Sequence, residues 1–124
     1  MTKHILIVED QEDNRQILRD LLGSVGYDMS EAADGPAALV AVKAQRPDLI
    51  LMDIQLPLID GYEVTRRIKS DPDLKDIPII VVSSYALSGD EPKARVAGCD
   101  AYVTKPYSPR ELLGRIKEFL REQP

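Results

Sequence analysis

Asp48-Leu49-Ile50-Leu51-Met52, residues 48–52, places four apolar residues behind an acid, and Asp53 follows at once. A short unbroken apolar run suits a strand covered on both faces of a sheet, because no side of it is left for water. Working outward, His4-Ile5-Leu6-Ile7-Val8 and Ile77-Pro78-Ile79-Ile80-Val81-Val82 read the same way. Two weaker strands are expected over 27–32, where Tyr27-Asp28-Met29-Ser30-Glu31-Ala32 alternates, and over 100–104, Asp100-Ala101-Tyr102-Val103-Thr104.

Helical spacing fills the gaps. Ile17, Leu18, Leu21, Leu22 and Val25 share one face, and Gly26 ends that helix as a left-handed cap. Ala38, Leu39 and Val42 mark a second helix that must stop before Pro47, and Val64 and Ile68 a third after Asp60-Gly61. A fourth spans Asp90 to Ala97, with Pro92 near its start and Gly98 beyond its end; its apolar face is thin, mostly Ala94 and Ala97. Ser108-Pro109-Arg110-Glu111 opens the fifth as a capping box, and Leu112, Leu113, Ile116, Phe119 and Leu120 form its stripe. Five strands alternating with five helices imply an α/β, (βα)5 doubly wound domain with parallel strands and right-handed crossovers. It is expected to occupy residues 1–124 as one unit, with no effector domain after the last helical charge, Glu122.

The balance of residues narrows the function. An apolar share of 44% with 30% charged residues is that of a folded domain and not a disordered chain. No stretch can span a bilayer, and Met1-Thr2-Lys3-His4 enters a strand without a signal-peptide core. Cys99 is the single cysteine, so no internal disulfide can form; it reads as a small buried thiol in a cytoplasmic protein. A net charge of −5 without a basic stripe argues against nucleic acid as a partner. His4, the lone histidine, reads as solvated and not as a metal ligand.

Ligands of an open parallel sheet gather beyond the carboxyl ends of its strands. Those ends carry Glu9-Asp10, Asp53, Ser83-Ser84 and Thr104-Lys105-Pro106. Three carboxylates brought to one rim repel one another unless a cation shares the site. Hard oxygens with positions left for water and phosphate suit Mg2+.

Val8-Glu9-Asp10, Leu51-Met52-Asp53-Ile54-Gln55-Leu56-Pro57 with Asp60-Gly61, Val82-Ser83-Ser84 and Thr104-Lys105-Pro106 together resemble the receiver domains of two-component response regulators. The resemblance runs along essentially the whole chain, and within that family it is nearest the single-domain cell-division regulators of the DivK type. It implies a strand order of 2-1-3-4-5. It also implies that Asp53 accepts a phosphoryl group from a phosphohistidine on a sensor histidine kinase or a histidine phosphotransfer protein. Asp10 and Asp53 would then hold Mg2+, Glu9 through water, and the backbone carbonyl of Gln55 would complete the protein ligands.

Lys105, before a cis proline in this family, would neutralise charge on the phosphoryl oxygens. Ser83 fills the hydroxyl switch position and Tyr102 the aromatic one. The family more often has Thr-Ala where this chain has Ser83-Ser84, and the spacing from Asp53 and Lys105 favours Ser83. Gln55, two residues past the acceptor, is placed to tune the phosphoryl lifetime. The output would be protein binding through the face of the fourth helix, fifth strand and fifth helix. Pro57, Asp60 and Gly61 read as loop-shaping, Asp13 as a cap of the first helix, and the charges from Lys117 to Glu122 as a solvated face.

Other classes fit less well. A phosphohydrolase of the haloacid-dehalogenase type needs Asp-x-Asp, and here Asp53-Ile54-Gln55 lacks the second acid. A flavodoxin-like binder needs a loop that cradles phosphate, and Glu9-Asp10-Gln11-Glu12-Asp13 would repel it. A receiver-shaped scaffold that is never phosphorylated would not need Asp10, Asp53, Ser83 and Lys105 together.

Overall fold

The apolar runs lie side by side at the centre of one parallel sheet. In the computed structural model, which describes residues 2–83 and 90–120, with only the backbone at Asp90, strands and helices alternate throughout. The first half holds β1 (His4–Val8), α1 (Glu12–Ser24), β2 (Asp28–Ala32), α2 (Gly35–Ala44) and β3 (Leu49–Asp53). The second holds α3 (Gly61–Ser70), β4 (Ile79–Ser83), α4 (Asp90–Ala97), β5 (Ala101–Thr104) and α5 (Pro109–Leu120). The strand order is β2-β1-β3-β4-β5, all parallel, as the resemblance implied.

Alternation along the central strands sorts their side chains into two cores. Leu6, Val8, Ile50, Met52, Ile79 and Val81 face α2, α3 and α4, where they meet Ala38, Val42, Val64, Ile68 and Ala94. Ile5, Ile7, Leu49, Leu51, Ile80 and Val82 face α1 and α5, against Leu18, Leu22, Leu112 and Ile116. The central strands thus lose water on both sides, which is why their sequences carry no polar face.

Local chemistry sets the boundaries. Gly26 stands at φ +88° after α1, as its position predicted. Asp34 and Asp60 cap α2 and α3 by accepting from the backbone N–H groups of Ala37 and Glu63, at 2.7 and 2.9 Å. Ser108 Oγ accepts from the N–H of Glu111 at 3.1 Å to open α5. β4 begins at Ile79, not Ile77, because Pro78 has no N–H and the Ile77 N–H turns back to the carbonyl of Leu74. β3 runs one residue further than the apolar pattern, since Asp53 stays in register with Val82.

Three expectations need correction. Asp13 does not cap α1: Gln11 holds that position, without a side-chain cap, and Asp13 sits inside the first turn. Ile17 is 57% exposed and Val25 is also exposed, so the buried stripe of α1 is narrower than its periodicity suggests. His4 is half-buried and engaged. Its Nε2 lies 2.9 Å from Ser30 Oγ, and its backbone N–H donates to Asp48 Oδ2 at 2.8 Å. The thin face of α4 is as read, with Ala94 and Ala97 buried and Val96 exposed. Cys99 is buried before β5, and Ser84 with residues 121–122 lies outside the described residues.

Gly61 ties the fold to the end of β3. A Cβ there would stand 2.2 Å from the Asp53 carbonyl oxygen and 2.8 Å from the Ile54 Cα, both backbone atoms. Inside a helix Gly→Ala ordinarily adds up to about 1 kcal/mol. Here the sign reverses, and Gly61→Ala is expected to cost about 2–3 kcal/mol, as overpacking does. Urea unfolding measures this; an unchanged or higher midpoint would mean that α3 can shift away at no cost.

Candidate functional site

The acids at the carboxyl rim arrive on two different segments. Glu9 and Asp10 leave β1 in the turn to α1, and Asp53 is the last residue of β3, next to β1 in the sheet. One carboxylate oxygen from each of Glu9, Asp10 and Asp53 lies within 4.8 Å of the others. Glu9 and Asp53 are buried, at 2% and 7% exposure, and Asp10 is half-buried.

Lys105 reaches the same point from beyond β5. The Lys105–Pro106 peptide is cis, and the Lys105 N–H donates to the Ser83 carbonyl at 2.7 Å. Its Nζ donates to Glu9 Oε1 at 3.0 Å and to Asp53 Oδ2 at 3.2 Å. Burial alone would lower the Lys105 pKa, but the Glu9 and Asp53 carboxylates outweigh it and hold the ammonium above its ordinary value. Lys105 is therefore charged at neutral pH.

Backbone groups fix the carboxylates further. Glu9 Oε2 accepts from the Gln11 N–H at 3.0 Å, and Asp53 Oδ1 accepts from the Gln55 N–H at 3.0 Å. Gln55 itself is exposed. Ser83 ends β4 and is buried, one residue past the partner of Asp53. Tyr102 is half-buried on β5, opposite Val81, against the core under α2, α3 and α4. The site thus gathers Glu9, Asp10, Asp53 and Lys105 directly, with Gln55 and Ser83 on adjoining backbone and Tyr102 on the neighbouring strand.

Some features were not legible in the sequence. A cleft of about 480 Å³ opens between α1 and the segment after β5, floored by Asp53 and Lys105 and walled by Ile17, Pro106 and Tyr107. Burial is the main reason that the Tyr107 hydroxyl is held above its ordinary pKa. Arg15 of α1 donates to the Glu9 carbonyl at 2.8 Å. Neither Tyr107 nor Arg15 stands in a motif, and only the turn between strand and helix brings each to the acids.

The donor set fits a small hard cation. One ammonium against three converging carboxylates leaves negative charge unbalanced, and oxygen-only ligands match Mg2+ better than a softer metal. Glu9 and Asp53 each accept from Lys105 and from a backbone N–H, whereas the half-buried Asp10 meets the exposed Gln11 side chain at 3.3 Å and is the most available donor.

A parallel sheet in this order with three acids and a lysine at its rim defines the class. Residues 5–117 match the model of the response regulator receiver domain, and the chain belongs to that family. Among curated proteins it is similar to the polar-differentiation response regulator DivK of Brucella ovis, 45% identical over 120 residues, covering 97% of this chain and 98% of that protein. A putative response regulator from Chloroflexus aurantiacus superposes with a TM-score of 0.94 at 31% identity, over 98% of this chain and all of that one. The receiver domain of a Pseudomonas aeruginosa sensor histidine kinase, solved with a magnesium ion coordinated in its active-site cleft, matches at 0.91 and 35%, with the same coverage.

Proposed function

We propose that residues 1–124 act as one phosphorylation switch, in which Asp53 takes a phosphoryl group from a phosphohistidine and the modified domain then binds another protein. The observation that carries this reading is the Asp53 carboxylate, buried at the end of β3, 3.2 Å from the Lys105 ammonium and beside Glu9 and Asp10. Similarity to DivK over nearly the full length of both chains supports the single-domain reading.

Asp53 attacks phosphorus through a carboxylate oxygen. The P–N bond to the donor imidazole breaks as the P–O bond forms, the nitrogen keeps the bonding pair, and a mixed anhydride remains on Asp53. Lys105 sits where negative charge gathers and stabilises it without reorganising, since its ammonium is already aimed at Asp53. Asp10 and Asp53, with the Gln55 carbonyl and with Glu9 through water, would hold Mg2+. When bound, the ion supplies positive charge that lets two anions approach. The domain catalyses its own modification and its slow hydrolysis, with Gln55 beside the path of the attacking water, and turns over no other substrate.

The modified carboxylate carries roughly −1.5 to −2 charge units, and the Ser83 hydroxyl is the donor placed to meet it. That contact exists in one arrangement only and shifts the population toward it. Tyr102 follows, and the face of α4, β5 and α5 becomes the docking surface. A sensor histidine kinase or a histidine phosphotransfer protein is the donor, in the cytoplasm. No helix among the described residues is long and apolar enough to cross a membrane.

Beryllofluoride with Mg2+, which mimics the acyl phosphate, tests the switch. Amide NMR shifts should move at Asp53, Ser83 and Tyr102. Shifts confined to the neighbourhood of Asp53 would refute the coupling to β5.

A further inference from the structure

The turn that presents Glu9 and Asp10 is weakly held at its helical end. Gln11, at the start of α1, has no side-chain cap. The Glu9 N–H is held by the Ala32 carbonyl at 3.0 Å, and the Gln11 N–H by Glu9 Oε2. What fastens the Glu9 carbonyl is a side chain one turn into the helix, Arg15, through Nη1 at 2.8 Å.

The rest of that guanidinium is fully engaged. Arg15 Nε lies 3.1 Å from Glu31 Oε1 on β2, and Nη2 lies 2.5 Å from Glu12 Oε2 in the first turn of α1. The side chain keeps only 15% of its exposure. One planar fork therefore joins the acid-bearing turn, α1 and β2, a geometry that lysine cannot reproduce. Arg19 shares Glu12 and Glu31 at 2.6 Å each but makes no contact with Glu9. Nature has thus placed two arginines in one ion network, of which a single one touches the turn.

We infer that Arg15 is a positioning residue for the cation site: by clamping the Glu9 carbonyl to α1 and β2, it aims the Glu9 and Asp10 carboxylates at Asp53. This rests on the reading of the acids as a Mg2+ site. Groups that orient metal ligands from behind, without touching the metal, typically account for ten- to a hundredfold in affinity. The Arg15 charge by itself opposes a nearby cation, so a loss of Mg2+ affinity on its removal reports geometry and not charge.

The test is calorimetric titration of the metal-free full chain with MgCl2, in the parent, Arg15→Ala, Arg15→Lys and Arg19→Ala, with thermal unfolding of each metal-free protein alongside. The expected result is roughly tenfold weaker Mg2+ binding in Arg15→Ala. Arg15→Lys should recover little of it, and Arg19→Ala should stay within about twofold of the parent, since it leaves the Glu9 contact in place. Unchanged affinity in Arg15→Ala overturns the inference. So does full recovery in Arg15→Lys, which would show that the guanidinium fork is not needed, or an equal loss in Arg19→Ala, which would spread the effect over the network. If Arg15→Ala does not fold, Arg15→Lys decides: parent-like affinity there overturns the clamp. A parent that binds no Mg2+ removes the underlying reading of the acids, an outcome visible in the first titration and distinct from the others.

Discussion

Asp53→Ala is expected to take up no label from a phosphohistidine donor or from a small acyl phosphate, while remaining folded. The loss should be complete because Asp53 is the carboxylate that Lys105 and the Gln55 N–H hold at the centre of the rim. The fold should survive, for the substitution removes one of three mutually repelling acids and leaves Lys105 bonded to Glu9 at 3.0 Å. The exposed Gln55 loses an acceptor that water can replace, so the change in stability should stay within about 1 kcal/mol. Intact-protein mass after incubation with donor and Mg2+ gives the readout, and unfolding in urea gives the control. Label retained by a folded Asp53→Ala protein would put the acceptor elsewhere, with Asp10 the nearest alternative.

Lys105→Ala should slow phosphorylation by about 10²–10³-fold, the scale on which preorganised charge at a developing anion acts. Its effect on the metal should have the opposite sign. Removing a cation 3.0 Å from Glu9 and 3.2 Å from Asp53 leaves both buried carboxylates unpaired, so Mg2+ should bind more tightly than to the parent. Metal-free stability should fall by about 2 kcal/mol. That is less than the 3–5 kcal/mol of a fully buried pair, because the Lys105 side chain keeps 21% exposure. Added Mg2+ should then return more stability to the variant than to the parent.

The pH dependence follows from the direction of the Lys105 shift. Its pKa in the folded protein lies above the ordinary 10.5, so its contribution is complete below 10.5 and fades as pH rises through the folded value. The difference in urea midpoint between parent and Lys105→Ala should be flat across neutral pH and shrink only in strong alkali. A difference that collapsed near neutrality would mean that Lys105 is not held charged by Glu9 and Asp53. Together with Arg15→Ala, which is expected to weaken Mg2+ binding, this variant separates a competing charge from a supporting contact.

Most of the architecture could be read one segment at a time. Apolar runs covered on both faces, Gly26, Asp60, Pro109 and the Ser108 cap are local signals, and each marks its element to within two residues. The family was legible for the same reason, since Glu9-Asp10, Asp53, Ser83 and Lys105 each stand at the end of a strand. Where neighbours from elsewhere in the chain decide, the local pattern was misleading. Ile17 continues the apolar stripe of α1 but meets an open cleft and not a core. His4 looked solvated until Ser30 and Asp48 came beside it. The need for glycine at 61 comes from the backbone of Asp53, eight positions earlier.

The alternation of strands and helices, the parallel sheet, the family and the acids at its rim are all written locally in the chain, because periodicity, caps and strand-end residues act over a few positions. Tertiary structure alone decided that Lys105 bridges Glu9 and Asp53 across 96 and 52 residues, and that Arg15 grips the carbonyl behind the acids. Such contacts depend on how strands stack and how a helix leaves its turn. Distances of that kind belong to the packed chain, where residues far apart in order come within the reach of a hydrogen bond.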